Sequence, residues 1–264
     1  MEYPRINKIY KYREFSSRTL SMLANNELYF AVSESFNDPF DCRARKEFEF
    51  NDDQDFFEKW TPLEASQQNI SLEEAHKYVK KMAESKQSKD EYIEIKSQMF
   101  QKLVLQSFGI CSFSEVSDDI LMWSHYSDSH KGMCIEFNRS TENILCHARP
   151  VEYPDDDIFP YVDYWLDPND NQLDEVVKII MTKSKHWKNE KEWRLIKRPE
   201  EIDEHYRGHS VTYRDEMISG IIFGLRMNSK EKKTVKNILS GKPIKYYQAK
   251  TIKNKFQVEI MEVE

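Results

Sequence analysis

Short segments that read as strands bracket a long charged stretch, and this arrangement limits the fold more than any other feature of the chain. "IYKYR" alternates polar and apolar positions, and "ELYFAV", "FGICSFSEV", "MCIEFN", "EWRLIKR", "HSVTYR", "ISGIIFG", "IKYYQAK" and "KFQVEIMEV" have strand length and strand composition. Between the second and third of these lie residues 51–105. There "DDQDFFEKW", "SLEEAHKYVKKMAESK" and "DEYIEIKSQMFQKLVLQ" are charged and helix-permissive, and Ser71 with Glu74 has the spacing of a capping box. The Lys/Glu run at 80–91 suits a solvated helix surface or loop. The expectation is one α+β domain over residues 1–264, largely antiparallel in its outer thirds, with a helical insertion at about 51–105.

Smaller signals fill in the order. Ser16 or Ser17 can cap a short helix in which Leu20 and Leu23 are three apart. "SFNDPFD" favours chain reversal. "DDILMWSHYSDSHKG" reads as a helix or turn, and "VEYPD" as a short strand. "DEVVKIIMTKSKHWKNE" is helical in its first half, with Val176, Ile179 and Ile180 on one face. "SKEKKTVKNILSGK" is a helix ended by Gly241. No internal repeat is present.

Composition narrows the class. Hydrophobic residues make up 39% and aromatics 13%, so a globular core is available despite a charged fraction of 32%. A net charge of −7 disfavours a protein that coats phosphate generally, while leaving room for a local basic groove. Cys42, Cys111, Cys134 and Cys146 form no CxxC pair. The start "MEYPRINKIYKYR" has no apolar signal region, and no segment nears the ~18 apolar residues of a membrane span. The expectation is a cytoplasmic protein with reduced thiols and no membrane association.

Chemistry-capable residues gather in four places. In "WKNEKEWRLI", strand alternation would put Glu190, Glu192 and Arg194 on one face and Trp193 and Leu195 on the other, the two acids roughly 6–7 Å apart. The plainer alternative is a Glu192–Arg194 ion pair on an exposed sheet. In "CSFS", Ser112 and Ser114 share a face and can orient a polyhydroxylated or amide ligand; an edge strand facing water is the plain counterpart. In "MWSHYSDSHKG", Trp123 and Tyr126 can stack on a flat ring, and His125, Tyr126 and His130 can hydrogen-bond; helical spacing would pair Tyr126 with His130. The counterpart is a core-packed helix with surface histidines. In "YKYR", Lys11 and Arg13 share a face suited to phosphate, or to a surface ion pair with Glu14 or Glu27. Asn37 and Asp38 are further polar candidates. A metal site from Cys111, His125, His130 and Cys134 is disfavoured, because His125 and His130 are five apart and no HExxH or CxxC occurs. The sequence has no GxSxG, P-loop or GxGxxG.

The ordered set "YKYR", "LYFA…FNDPFD", "GICSFSE", "ILMWSHYSDSHKGMCIEF" and "EKEWRLI" resembles a bacterial family of unknown function, found largely in bacteria and phages, over roughly residues 8–225. A more distant resemblance is to ADP-ribosyltransferases of the Arg–Ser–Glu type. These carry Arg on a first strand, Ser-x-Ser on a central strand and Glu-x-Glu late, matched here by Arg13, Ser112-Phe113-Ser114 and Glu190-Lys191-Glu192. The segment "YKYREFSSRTLSMLANNELYF" also looks like the opening of transferases that modify nucleic-acid bases. Ser-Phe-Ser in place of Ser-Thr-Ser and the long insertion are departures.

This resemblance implies two small antiparallel sheets around a cleft, and NAD as a substrate without a metal. Glu192 and Glu190 would be catalytic. Arg13 with Lys11, Ser112 and Ser114, and Trp123 or Tyr126 would hold the NAD pyrophosphate, its ribose and nicotinamide. A toxin or phage-defence effector acting on nucleic acid or protein, with an antitoxin partner, would follow. The rival is a non-catalytic binding module whose interaction surface is "MWSHY" and "FNDPFD". Convergence of Arg13, Ser112 and Glu192 on one concave site separates the two.

Overall fold

The computed structural model describes residues 6–44, 52–84, 90–91, 94–95, 98, 108–160, 172–197 and 209–263. Two compact units emerge: Met1–Pro39, Phe108–Asp157 and Lys183–Glu264 make the first, and Phe40–Ser107 with Ile158–Thr182 the second.

In the first unit, β1 (Lys8–Arg13) leads into α1 (Ser17–Asn25) and β2 (Glu27–Phe30). Ser16 is the N-cap of α1, accepting from the Thr19 N–H, and Asn26 ends the helix in a left-handed conformation. In the second unit, Phe56 and Trp60 of α2 (Asp53–Gln68) pack with Val79 of α3 (Leu72–Met82). The Ser71–Glu74 capping box forms at the start of α3. These two helices lie within the expected insertion; much of "DEYIEIKSQMFQKLVLQ" lies outside the described residues.

The first unit continues with β3 (Gly109–Ser114), α4 (Ile120–Tyr126), β4 (Met133–Asn138) and β5 (Arg149–Pro150). The helix expected at "DEVVKII" is α5 (Gln172–Ile180), in the second unit. Then follow β6 (Glu192–Lys197), β7 (His209–Thr212), β8 (Ile218–Phe223), α6 (Ser229–Ile238), β9 (Lys245–Thr251) and β10 (Val258–Val263).

The expectation of two small antiparallel sheets is corrected. Eight strands form one sheet in the order β10-β9-β8-β4-β1-β3-β6-β5, and β2 and β7 form a separate pair. The large sheet is mixed, because β8 and β9 run parallel. Their connection contains α6, and a helical crossover returns the chain in the same direction. Alternation identifies a strand, but the connection decides its neighbour and sense.

The two faces of this sheet have different cores. Ile9, Phe113, Ile135, Trp193 and Phe223 on one face pack with Leu23 of α1 and Val235 of α6. Tyr12, Cys134, Ile222 and Ala249 on the other pack with Met122 and Trp123 of α4. Among the described residues no helix is long and apolar enough to cross a membrane.

The helix α4 stops at Tyr126, so the expected Tyr126–His130 pairing on one helix face does not form. Asp128, Ser129 and His130 have φ of 44°, 53° and 69° in succession. This left-handed turn reverses the chain into β4. It brings Gly132 against β1, where a Cβ would collide with the Arg13 carbonyl oxygen.

Candidate functional site: a buried charge cluster at β6

The site begins with register. Ser112 faces Arg194, Phe113 faces Trp193 and Ser114 faces Glu192 across β3 and β6. Directly paired residues share a face, so Ser112, Ser114, Glu192 and Arg194 stand together, opposite the core side of Trp193 and Leu195. Trp193 is fully buried, as the alternation predicts.

Glu190 departs from that expectation. It ends a 3-10 helix at Lys185–Glu190, and Lys191 follows with φ 42°. Strand alternation therefore does not align the two acids. Lys183 joins them instead: its Nζ donates to Glu190 Oε2 at 2.6 Å and to Glu192 Oε2 at 3.1 Å. Arg194 donates to Glu192 through Nε at 2.8 Å and Nη2 at 3.0 Å. The Tyr126 hydroxyl donates to Glu190 Oε1 at 2.6 Å. Tyr153 accepts from the Glu192 N–H at 2.9 Å, Ser112 hydrogen-bonds Glu192, and Asn37 hydrogen-bonds Tyr126.

The Glu192–Arg194 pair exists, but it is not on an exposed sheet. Glu192 is 4% exposed and Arg194 1%. Removing charges from water is costly unless they are paired and hydrogen-bonded, and here they are. The two acids titrate in opposite directions. Burial alone would raise Glu192, but Arg194 and Lys183 outweigh it and hold the carboxyl at about 2. Burial raises Glu190, the nearby Glu192 adds to this, and Lys183 and Tyr126 offset only part. One carboxylate is thus fixed as an anion, while the other binds a proton more readily than usual, which suits proton transfer. Burial, followed by the Glu190 charge, pushes the Tyr126 phenol upward.

The remaining predicted residues are placed differently. Ser114 is buried, donating to the Glu190 carbonyl at 2.7 Å and accepting from the Val116 N–H, so it shapes the loop rather than facing a ligand. Trp123 is fully buried, stacked edge-on against Tyr12 with its indole N–H on the Ser117 carbonyl; it is core, with no open ring face for nicotinamide. His125 is exposed beside Trp187. His130 lies parallel to Trp123 and meets the Ser124 hydroxyl, away from the acids. Asp38 is buried.

Arg13 and Lys11 share the face of Ile9 and Met133, opposite Glu192 and Ser112, because Tyr10, one position off, is the residue paired with Ser114. Lys11 Nζ reaches the Ser112 carbonyl at 2.7 Å and lies over the Phe113 ring. Burial lowers both cations' pKa values. Cys111 and Cys134 belong to opposite faces of the sheet, so they cannot join one metal site.

Sequence reasoning missed Lys183 and Tyr153. Tyr153 lies in the short "VEYPD" segment and Lys183 just past α5, and only folding brings them to β6. Arg194 was visible as the partner of Glu192, but its burial was not.

Residues 122–195 match a family described as "Protein of unknown function (DUF2971)". The matched stretch runs from α4 through β6 and includes Tyr126, Tyr153, Lys183, Glu190, Glu192 and Arg194. No curated protein and no solved structure matches the chain.

Proposed function

We propose that the chain is an NAD-dependent ADP-ribosyltransferase, working as a toxin or defence effector with nucleic acid or protein as acceptor. One observation carries this reading: β1, β3 and β6, the strands bearing Arg13, Ser112 and Glu192, are consecutive in the sheet. Moreover, β1 and β3 share a single residue pair, Tyr10 with Ser114, and are not paired beyond it. Lys11 and Arg13 sit on the part of β1 that pairs with β4 alone. Among the described residues neither has a carboxylate within ion-pair distance, and the Arg13 Nε is buried without a hydrogen-bond partner. Two half-buried cations of this kind suit a pyrophosphate, although Lys11 already donates to the Ser112 carbonyl. They leave β1 on the face opposite Glu192, so Arg13 does not converge with Ser112 and Glu192 on one face, and this counts for the binding module.

In the reaction the nicotinamide–ribose bond breaks and its electron pair leaves with nicotinamide. An oxocarbenium-like ribose is left, as in glycoside chemistry. Glu192, anionic through Arg194 and Lys183, supplies the negative field, and Ser112 orients the ribose. Glu190 takes the proton of the acceptor as the new bond to the ribose carbon forms. Water as the acceptor gives NAD glycohydrolysis.

The non-catalytic rival is favoured by a different fact: both Glu192 oxygens already have cationic donors. Incubation with labelled NAD and cell lysate separates the readings. Transfer of label to protein or nucleic acid with nicotinamide release supports the enzyme; neither event, from a folded protein, supports the binding module. Glu190→Gln should lose transfer and keep some hydrolysis, whereas Glu192→Gln should lose both by about 10²-fold or more.

A further inference from the structure

We propose that the surface of α6 and the β9–β10 hairpin binds single-stranded nucleic acid. The chain as a whole is acidic, yet residues 226–263, which span α6 and the hairpin, hold ten Lys or Arg against three acids, Glu231, Glu259 and Glu262, leaving 29 basic and 43 acidic residues elsewhere. The structure gathers this excess. α6 and β9 are joined in sequence, α6 packs on the sheet near β9 through Lys236 over the Tyr246 ring, and β10 closes the hairpin.

The positive charge is not used up inside the fold. Lys230, Lys233, Lys253 and Lys255 are exposed, and none has a carboxylate partner among the described residues. Lys232 and Lys236 stand four apart on α6, a like-charge spacing that weakens an isolated helix. Burial and the Lys236 charge lower the Lys232 pKa. Of the acids on β10, Glu262 is already paired with Lys245 at 3.1 Å. An uncompensated basic surface on an acidic chain recruits a polyanion and orients it toward that surface.

The hairpin tip indicates which polyanion. Phe256 is 96% exposed and follows Lys255, with Lys253 three positions before it. Its ring contributes almost no buried area, so folding does not explain it. A free aromatic face among unpaired lysines fits an unpaired base stacking while its phosphates meet the ammonium groups. A duplex keeps its bases stacked internally and would leave this ring unused. A lipid surface would call for several exposed apolar residues together, and at this tip Phe256 is the large one that is exposed.

The test uses the full-length protein without NAD, so its outcome is independent of the proposed transferase activity. Fluorescence anisotropy with a labelled single strand of about 20 nucleotides, and with the matching duplex, should show salt-dependent binding that favours the single strand. Replacing Lys253 and Lys255 by Gln should flatten the dependence of log affinity on log salt by roughly 0.7 per lost phosphate contact. Phe256→Ala should weaken single-strand binding about tenfold at an unchanged melting temperature. Absence of binding at about 50 mM salt would overturn the proposal. So would affinities that ignore all three substitutions, a duplex bound as tightly as the single strand, or sedimentation with phosphatidylserine vesicles by a protein that ignores the oligonucleotide.

Discussion

At β6, Glu190, Glu192, Lys183 and Arg194 are almost removed from solvent, and each carboxylate has both a cation and a further hydrogen-bond partner. On α6 and at the hairpin tip, Lys230, Lys233, Lys253 and Lys255 stand in solvent without carboxylate partners among the described residues. The difference follows from dielectric. A buried charge left alone costs several kcal/mol (roughly 3–5 when one partner of a pair is removed), so burial selects compensated clusters. An exposed charge is screened by water and salt, so a surface can hold an excess of one sign for a partner. The first region therefore sets stability and the chemistry of its acids, and the second sets affinity for what the chain meets.

The comparison is broken most strongly at Lys183. Lys183→Met should leave Glu190 and Glu192 short of a shared cation and destabilise by about 3–5 kcal/mol; a denaturation midpoint near wild type would show that the cluster tolerates uncompensated charge. Next is the acid limb of the stability curve. The folded Glu192 carboxyl lies at about 2, against an ordinary 4.5. Its contribution is therefore fully present above about pH 4.5 and is lost as pH falls toward 2, amounting to about 3 kcal/mol. Urea melts across that window should show this loss in the wild type and lack most of it in Glu192→Gln.

Glu190 sharpens the comparison because its sign is opposite. A raised carboxyl favours folding below the unfolded value and loses that contribution as pH rises through the folded value. At neutral pH its ionised form is held at a cost, so Glu190→Gln should destabilise by only about 1 kcal/mol or less. A penalty equal to that of Glu192→Gln would show that the two acids are equivalent. The smallest effect belongs to the exposed region: Lys233→Gln should move stability by less than about 0.5 kcal/mol while reducing oligonucleotide affinity. A larger stability change would mean that this lysine is part of the fold.

Legibility differed along the chain for physical reasons. Trp193 and Leu195 were readable as core because a strand has period two and one of its faces must be apolar. The Ser71–Glu74 box and the Ser16 cap were readable because caps are local hydrogen bonds between residues three apart. Glu190 was misread as part of the strand, since nothing local shows that Lys191 adopts a left-handed conformation. His130 lies in a segment read as helix or turn, and the turn forms: Asp128, Ser129 and His130 are left-handed in succession, which no pattern within the segment shows.

The sequence by itself determined where most strands and helices lie, which side chains of β6 face the core, and where basic residues concentrate. Those properties depend on period, capping and composition, all of which act within a few residues. Only the tertiary structure decided that β8 and β9 run parallel, that Arg13 and Glu192 leave the sheet on opposite faces, and that Lys183 closes the charge cluster. Each depends on which distant segments become neighbours, and that is set by the joint burial of two sheet faces and the pairing of buried charges, terms that no short window of residues contains.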